Sequence, residues 1–182
     1  MREERLYFAY GSNINLTQMA YRCPNARPLM PAALHGYELT FRGGGVATVI
    51  PKEDAVTLGL LWSITPACEK SLDHYEGFPN FYHKTDIAVT DPETGQIYHC
   101  MMYEMDERYR DTYLPSFSYF NGIVEGYQQN DMDTRPLYDA LRKTERQVVE
   151  DHEKRMREAF FAQEKPSFRS SRKKHGCKER ER

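Results

Sequence analysis

Glu76, in the stretch LDHYEGFPNFY (Leu72 to Tyr82), is a carboxylate that the surrounding sequence places at the C-terminal end of a helix. The carbonyl end of a helix is partly negative, so it disfavours an anion and raises a carboxyl pKa. Burial among Tyr75, Phe78, Phe81 and Tyr82 raises it further, and a carboxyl that titrates near neutrality is suited to general acid or base work. The plain alternative is a surface glutamate ahead of a helix-ending glycine.

A second stretch, FAYGSN (Phe8 to Asn13), begins as a strand and ends in residues that a strand does not favour. Gly11 lets the chain bend without a Cβ clash and lets a ligand approach the backbone. The N–H groups of Gly11, Ser12 and Asn13 lie where the chain turns toward a helix N-terminus, a setting that favours carboxylates and developing oxyanions. An ordinary turn with local side-chain hydrogen bonds also accounts for these residues. In a third stretch, LPSFSYFNGIVEGY (Leu114 to Tyr127), Ser116 and the first-turn N–H groups can hold an anion, with the Tyr119 phenol near the same end. An N-capped amphipathic helix needs no ligand, so that reading stays open as well.

Other constellations offer less. Asp73-His74 beside Glu76 suggests a triad, but His74 stands one residue from Asp73 and two from Glu76, spacings that do not face each other on a helix. His35, His83 and His99 lack metal-ligand spacing, Cys68 has no recognisable base, and RGGGV lacks the GK[ST] of a phosphate loop. No metal and no cofactor is expected.

The elements that must position these residues read as α+β. Six strands are expected: Arg5 to Tyr10, Leu34 to Phe41, Val46 to Ile50, Val56 to Ile64, Tyr82 to Thr90 and Gln96 to Met105. RGGGV at Arg42 to Val46 and DPETGQ at Asp91 to Gln96 read as hairpin turns. Asn15 caps a short helix ending before Pro24, and Thr65 with Pro66 starts a second that stops at Gly77. Ser116 caps a third, with Phe117, Phe120, Ile123, Val124 and Tyr127 on one face and Asn130 at its end. A fourth spans about Pro136 to Phe161 on a broken apolar stripe, and its second half is too polar for deep burial. Strands cluster in the first 105 residues without strict alternation with helices, which favours a mainly antiparallel, barrel-like sheet.

The 182 residues suit one globular domain, expected over 1–162, with a basic disordered tail over 163–182. Glu164 to Arg182 hold eight Lys or Arg and three Glu, leaving the rest of the chain with a formal charge of −7. That tail lacks the apolar residues to offset its ordering entropy, and the body offers no basic groove for nucleic acid. No leader-like or membrane-spanning apolar run is apparent, and Cys23, Cys68, Cys100 and Cys177 are scattered. A cytoplasmic protein with free thiols is expected, with no membrane partner.

The three stretches together, in this order and at these separations, resemble the γ-glutamylcyclotransferase-like family, as do MAYRCPNA, LHGYELTF and TLGLLWSI between them. The resemblance covers roughly Leu6 to Asn130. It implies a small mixed, mainly antiparallel β-barrel flanked by helices, with a cavity at its mouth. It also implies that Tyr7, Tyr10, Gly11, Ser12 and Asn13 grip a γ-glutamyl group, that Glu76 is the acid/base residue, and that Tyr119 contacts substrate. The implied reaction closes a γ-glutamyl amide on its own α-amine, giving 5-oxoproline and a free amine or amino acid. A non-catalytic binder of small acidic ligands is the other reading, and an enzyme for γ-glutamylamines, isopeptides or aminoglycoside-linked acyl groups is a variant of the first. The implied partner is a small γ-glutamyl substrate, and a homodimer is left open.

Overall fold

A computed structural model describes residues 4–163. The expected tail from residue 164 onward, with Cys177, lies outside the described residues. Five strands form a closed barrel in the order β1-β3-β2-β4-β5, where β1 is Arg5–Ala9, β2 Arg27–Arg42, β3 Val46–Ile64, β4 Tyr82–Thr90 and β5 Ile97–Met105. All neighbours run antiparallel except β1 and β5, whose parallel pairing at Tyr7 and Met101 closes the barrel. The helices are α1 (Leu16–Arg22), α2 (Pro66–Glu76), α3 (Phe117–Gln129) and α4 (Arg135–Gln163), with a 3-10 turn at Ser12–Ile14.

Two of the six expected strands are one. Val46 to Ile50 and Val56 to Ile64 both belong to β3, and its partner β2 starts at Arg27 instead of Leu34. Pro51 and the charged run after it separate the two expected strands. The ladder instead passes through a bulge in which Gly36, at φ 76°, lies opposite residues 52–55, with Asp54 at φ 61°. Pro28 and Pro31 sit where β2 pairs with β3 alone, its contact with β4 coming later, at Ala33 and Thr90. A missing N–H costs nothing on such an edge. Both expected hairpins are present: Gly43, Gly44 and Gly45 all have positive φ, and Asp91 accepts from the Glu93 N–H while Gly95 takes φ 74°.

The helix starts follow their caps. Asn15 accepts from the Gln18 N–H, Thr65 from Cys68 and Ser116 from Tyr119. Gly77, in the left-handed region at φ 65° and ψ 33°, ends α2 and leaves Glu76 as its last residue. On α3, Phe120, Ile123, Val124 and Tyr127 are buried, but Phe117 is 84% exposed. Phe117 opens the helix on its solvent side, so the expected five-residue face has four members. The core joins the barrel side chains Phe8, Phe41, Leu60, Leu61 and Met101 to Ile14, Met19, Leu72 and Leu137 from the helices.

The chain divides into two compact units between Val149 and Glu150, within α4. The first holds the barrel, α1 to α3 and the start of α4, where Leu137, Ala140 and Thr144 are buried. In the described part of the second, Met156, Phe160 and Phe161 are exposed, in keeping with the polar reading of that half. Among the described residues no helix is long and apolar enough to cross a membrane.

Candidate active site

The end of α2 and the turn after β1 meet at one small cavity lined by Tyr7, Tyr10, Gly11, Ser12, Asn13, Ala47, Glu76, Tyr82, Tyr103 and Tyr119. The seven residues that the family resemblance implies, Tyr7, Tyr10, Gly11, Ser12, Asn13, Glu76 and Tyr119, are all among them. The enclosed space, about 30 Å³, exceeds the ~10–15 Å³ one water needs and admits a reacting amine or carbonyl group rather than a whole peptide.

Glu76 reaches this wall because α2 is tied to the barrel one turn earlier. Asp73 accepts from the Tyr103 hydroxyl at 2.6 Å, and the Lys84 ammonium bridges Asp73 at 2.8 Å and Glu69 at 2.6 Å. Asp73 and Glu76, three apart, share a helix face. Glu76 is half-buried as a residue, but its carboxylate lies under the phenols, and burial pushes its pKa up to about 7 against the hydrogen bond from Asn13 and the charge of Arg22. The expected rise is present and burial is its main cause, but most of the residues that cover it differ from those expected. Tyr75 and Phe78 are 47% and 39% exposed. Of the expected aromatics Tyr82 lines the cavity, and the rest of the cover comes from Tyr7, Tyr10, Tyr103 and Tyr119.

Asn13 is the hub. Its Nδ2 donates to Glu76 Oε1 at 2.7 Å and to the Tyr7 oxygen at 2.8 Å, while Oδ1 accepts from Arg22 at 2.6 Å. Its side-chain hydrogen-bonding groups are thus already engaged. Ser12 Oγ accepts from Arg22 at 3.1 Å and lies 3.3 Å from the Tyr75 hydroxyl. What the loop leaves for a ligand is backbone: the N–H groups of Ser12 and Asn13 begin the 3-10 turn and have no acceptor within it. Gly11 has φ −110° and ψ −141°, so its role is not a left-handed turn. A Cβ there would stand 3.2 Å from the Ala47 Cβ and 3.4 Å from the Tyr119 oxygen, at the cavity wall.

The five phenols divide by what their hydroxyls already do. Tyr10 donates to the Tyr103 carbonyl, Tyr82 to the Ala47 carbonyl and Tyr103 to Asp73. Tyr7 and Tyr119 instead accept, from Asn13 and from the Ala47 N–H at 3.0 Å, and keep their own O–H protons for the cavity. Burial raises the pKa of all five, so all remain neutral donors at physiological pH. Tyr10 lines the cavity, but its hydroxyl is spent. Ser116 caps α3 through the Tyr119 N–H and is exposed, outside the cavity that Tyr119 lines.

Sequence reading missed Arg22, Tyr103 and Ala47. The alternation that points Met101, Tyr103 and Met105 to one side of β5 was a usable signal for Tyr103. Arg22 had only a Gln18–Arg22 pair one turn apart. A larger hollow of about 480 Å³ is lined by Arg42, Thr48, Ile50, Glu104, Asp106, Glu107 and Arg110. Its carboxylates already face cations or donors: Glu104 the Thr85 hydroxyl, Asp106 Arg108 and Glu107 Arg110. The smaller cavity combines a carboxyl of raised pKa with two hydroxyls whose protons are not engaged.

The chain is similar to known proteins in both sequence and fold. The sequence profile described as "Gamma-glutamyl cyclotransferase, AIG2-like" matches residues 7–120. The gamma-glutamylcyclotransferase of Bos taurus is 29% identical over 139 residues, which is 70% of this chain and 72% of that protein. That of Mus musculus is 30% identical over 139 residues, with the same coverage. A solved structure of a gamma-glutamyl cyclotransferase superposes with a TM-score of 0.68 at 27% identity, over 80% of this chain and 86% of that one. YkqA from Bacillus subtilis, at 20% identity and a TM-score of 0.62 over 81% of this chain and 55% of its own, shares the fold. With one profile running through more than half of the sequence and across FAYGSN, Glu76 and Tyr119, the chain belongs to the gamma-glutamyl cyclotransferase, AIG2-like family.

Proposed function

We propose that the protein is a cyclotransferase that cleaves a γ-glutamyl amide by intramolecular attack, with Glu76 as its acid/base group. The observation that carries this reading is the Glu76 carboxyl, raised to about 7 and held by Asn13 in a cavity with two free phenol donors. The substrate's α-amine attacks its own γ-carbonyl carbon, forming the new C–N bond and placing negative charge on the carbonyl oxygen. Glu76 accepts a proton from the amine nitrogen and returns it to the leaving nitrogen. The C–N bond to the leaving group then breaks and the oxygen recovers its double bond. The products are 5-oxoproline and the released amine or amino acid.

Because attack is intramolecular, holding the glutamyl chain folded supplies much of the rate. Proton transfer through a positioned carboxyl adds roughly 10²–10⁴. The Tyr7 and Tyr119 hydroxyls and the N–H groups at Ser12 and Asn13 are the donors for the oxyanion or for the substrate carboxylate. No step of the scheme calls on a metal or cofactor. The substrate is a small molecule, and the three buried free thiols, Cys23, Cys68 and Cys100, suit the reducing cytoplasm, where we place the reaction.

The test is a panel of γ-glutamyl amides with amino-acid, amine and peptide leaving groups, incubated with protein and assayed for 5-oxoproline. Release of 5-oxoproline with one or more members supports the reading and identifies the leaving group. Binding of panel members without release identifies a non-catalytic binder instead.

A further inference from the structure

We propose that Arg22 is a positioning residue for this site, fixing the orientation of the Asn13 amide so that Asn13 presents Glu76 to the cavity. The proposal rests on the reading of Glu76 as the acid/base group, and it concerns a residue that does not itself line the cavity.

Arg22 is the last residue of α1, and its guanidinium makes three side-chain hydrogen bonds beside the site. Nη1 donates to Asn13 Oδ1 at 2.6 Å and to Ser12 Oγ at 3.1 Å, and Nη2 donates to Gln18 Oε1 at 2.7 Å. The guanidinium carbon stands 3.8 Å from the Tyr75 ring centroid, so the cation stacks on the residue next to Glu76. The Arg22 carbonyl accepts from Ser71 at 2.8 Å, joining α1 to α2. One side chain thus connects α1, the 3-10 turn and the end of α2.

The consequence lies in the donor inventory. A side-chain amide has an oxygen and a nitrogen of nearly equal size, and packing alone does not choose between its two orientations. A guanidinium has donors and no acceptor, so Arg22 compels Asn13 to turn Oδ1 toward it. Both Nδ2 protons are then left for Tyr7 and Glu76, as the distances show. With Arg22 gone, nothing holds Oδ1 on that side, and a flipped amide can accept a hydrogen bond from Glu76 in its neutral form, which favours the protonated carboxyl over the carboxylate.

Charge acts in the same direction. The titratable groups facing Glu76 are Tyr7 and Tyr10 from the β1 side, Tyr82 from β4, Tyr103 from β5, Tyr119 from α3 and Arg22 from α1, with Asp73, already paired with Lys84, on its own helix face. The phenols are neutral at physiological pH. Arg22 is the cation of this set and favours the ionised carboxylate. Lysine keeps the charge but not the planar fork that meets three acceptors and a ring at once.

The experiment compares wild type, Arg22→Met and Arg22→Lys by two readouts. One is ¹³C NMR titration of the Glu76 carboxyl, assigned with Glu76→Gln. The other is the pH dependence of kcat and KM on a γ-glutamyl amide, with circular dichroism to establish folding. In folded Arg22→Met the Glu76 midpoint and the acidic limb of kcat move to higher pH. Its kcat at pH 7 falls roughly ten- to a hundredfold, as for loss of hydrogen bonds to a charged group, with little change in KM. Arg22→Lys keeps the midpoint closer to wild type but still loses kcat, and it carries the test alone if Arg22→Met does not fold. An unmoved midpoint in folded Arg22→Met overturns the proposal, as does wild-type kcat in Arg22→Lys or a rise in KM alone in either variant. A midpoint that shifts while Glu76→Gln remains active supports the positioning role and sinks the reaction assigned to Glu76.

Discussion

Glu76 illustrates how little of an active-site environment resides in its nearest neighbours. The motif made its proton chemistry legible, but the phenols that cover it come from residues 7, 10, 82, 103 and 119, and only Tyr82 lies near it in sequence. Arg22 stayed invisible for the same reason, since its partners Ser12 and Asn13 lie across a turn and a helix whose packing no spacing rule encodes. Two substitutions test the wall. Tyr119→Phe removes one unspent donor and leaves the Ala47 N–H without its acceptor. A hydrogen bond worth ~0.5–1.5 kcal/mol predicts about a tenfold loss in kcat/KM, read by steady-state kinetics. Gly11→Val sets branched carbon against Ala47 and the Tyr119 hydroxyl, so substrate affinity should collapse with a modest loss in melting temperature. Calorimetric titration and a thermal melt separate the two effects, and wild-type affinity would mark FAYGSN as merely a turn.

Among the elements, the seating of the 3-10 turn on α3 decides where the loop lies. Asn15 caps α1, and its Nδ2 also donates to the Gly122 carbonyl at 2.9 Å and to Glu125 at 3.0 Å. Asn130 donates to the Ile14 carbonyl at 3.2 Å. Gly126 permits this contact, because a Cβ there would fall 2.7 Å from the Asn15 nitrogen and 2.9 Å from the Ile14 carbonyl carbon. Gly126→Ala forces backbone from backbone, with an expected cost of about 1–3 kcal/mol in urea unfolding and a loss of activity through the displaced loop. A neutral outcome would mean that the turn has slack. Caps, hairpins and helix lengths were legible because each depends on residues close in sequence. The unity of β3 was not, since the bulge that carries the ladder past Pro51 is built by Gly36 on the partner strand.

At the scale of the whole molecule, the barrel imposes a stability cost in order to keep Glu76 under its phenols. The folded carboxyl titrates near 7, whereas an unperturbed one titrates at 4.5, so the folded state holds its proton more tightly. The associated stability is fully present below pH 4.5 and is lost as pH rises through about 7, a change on the order of 3 kcal/mol. Glu76→Gln removes that loss. Its stability relative to wild type should therefore grow between pH 4.5 and 8 in thermal melts, and a constant difference would contradict the burial. The same variant provides the most direct measurement of the central claim. Glutamine keeps the shape of Glu76 and cannot accept a proton at neutral pH. With folding confirmed by circular dichroism and substrate binding retained, 5-oxoproline turnover should fall by about 10²–10⁴. Turnover near the wild-type rate in a folded Glu76→Gln protein would contradict the assignment of the acid/base step to this residue.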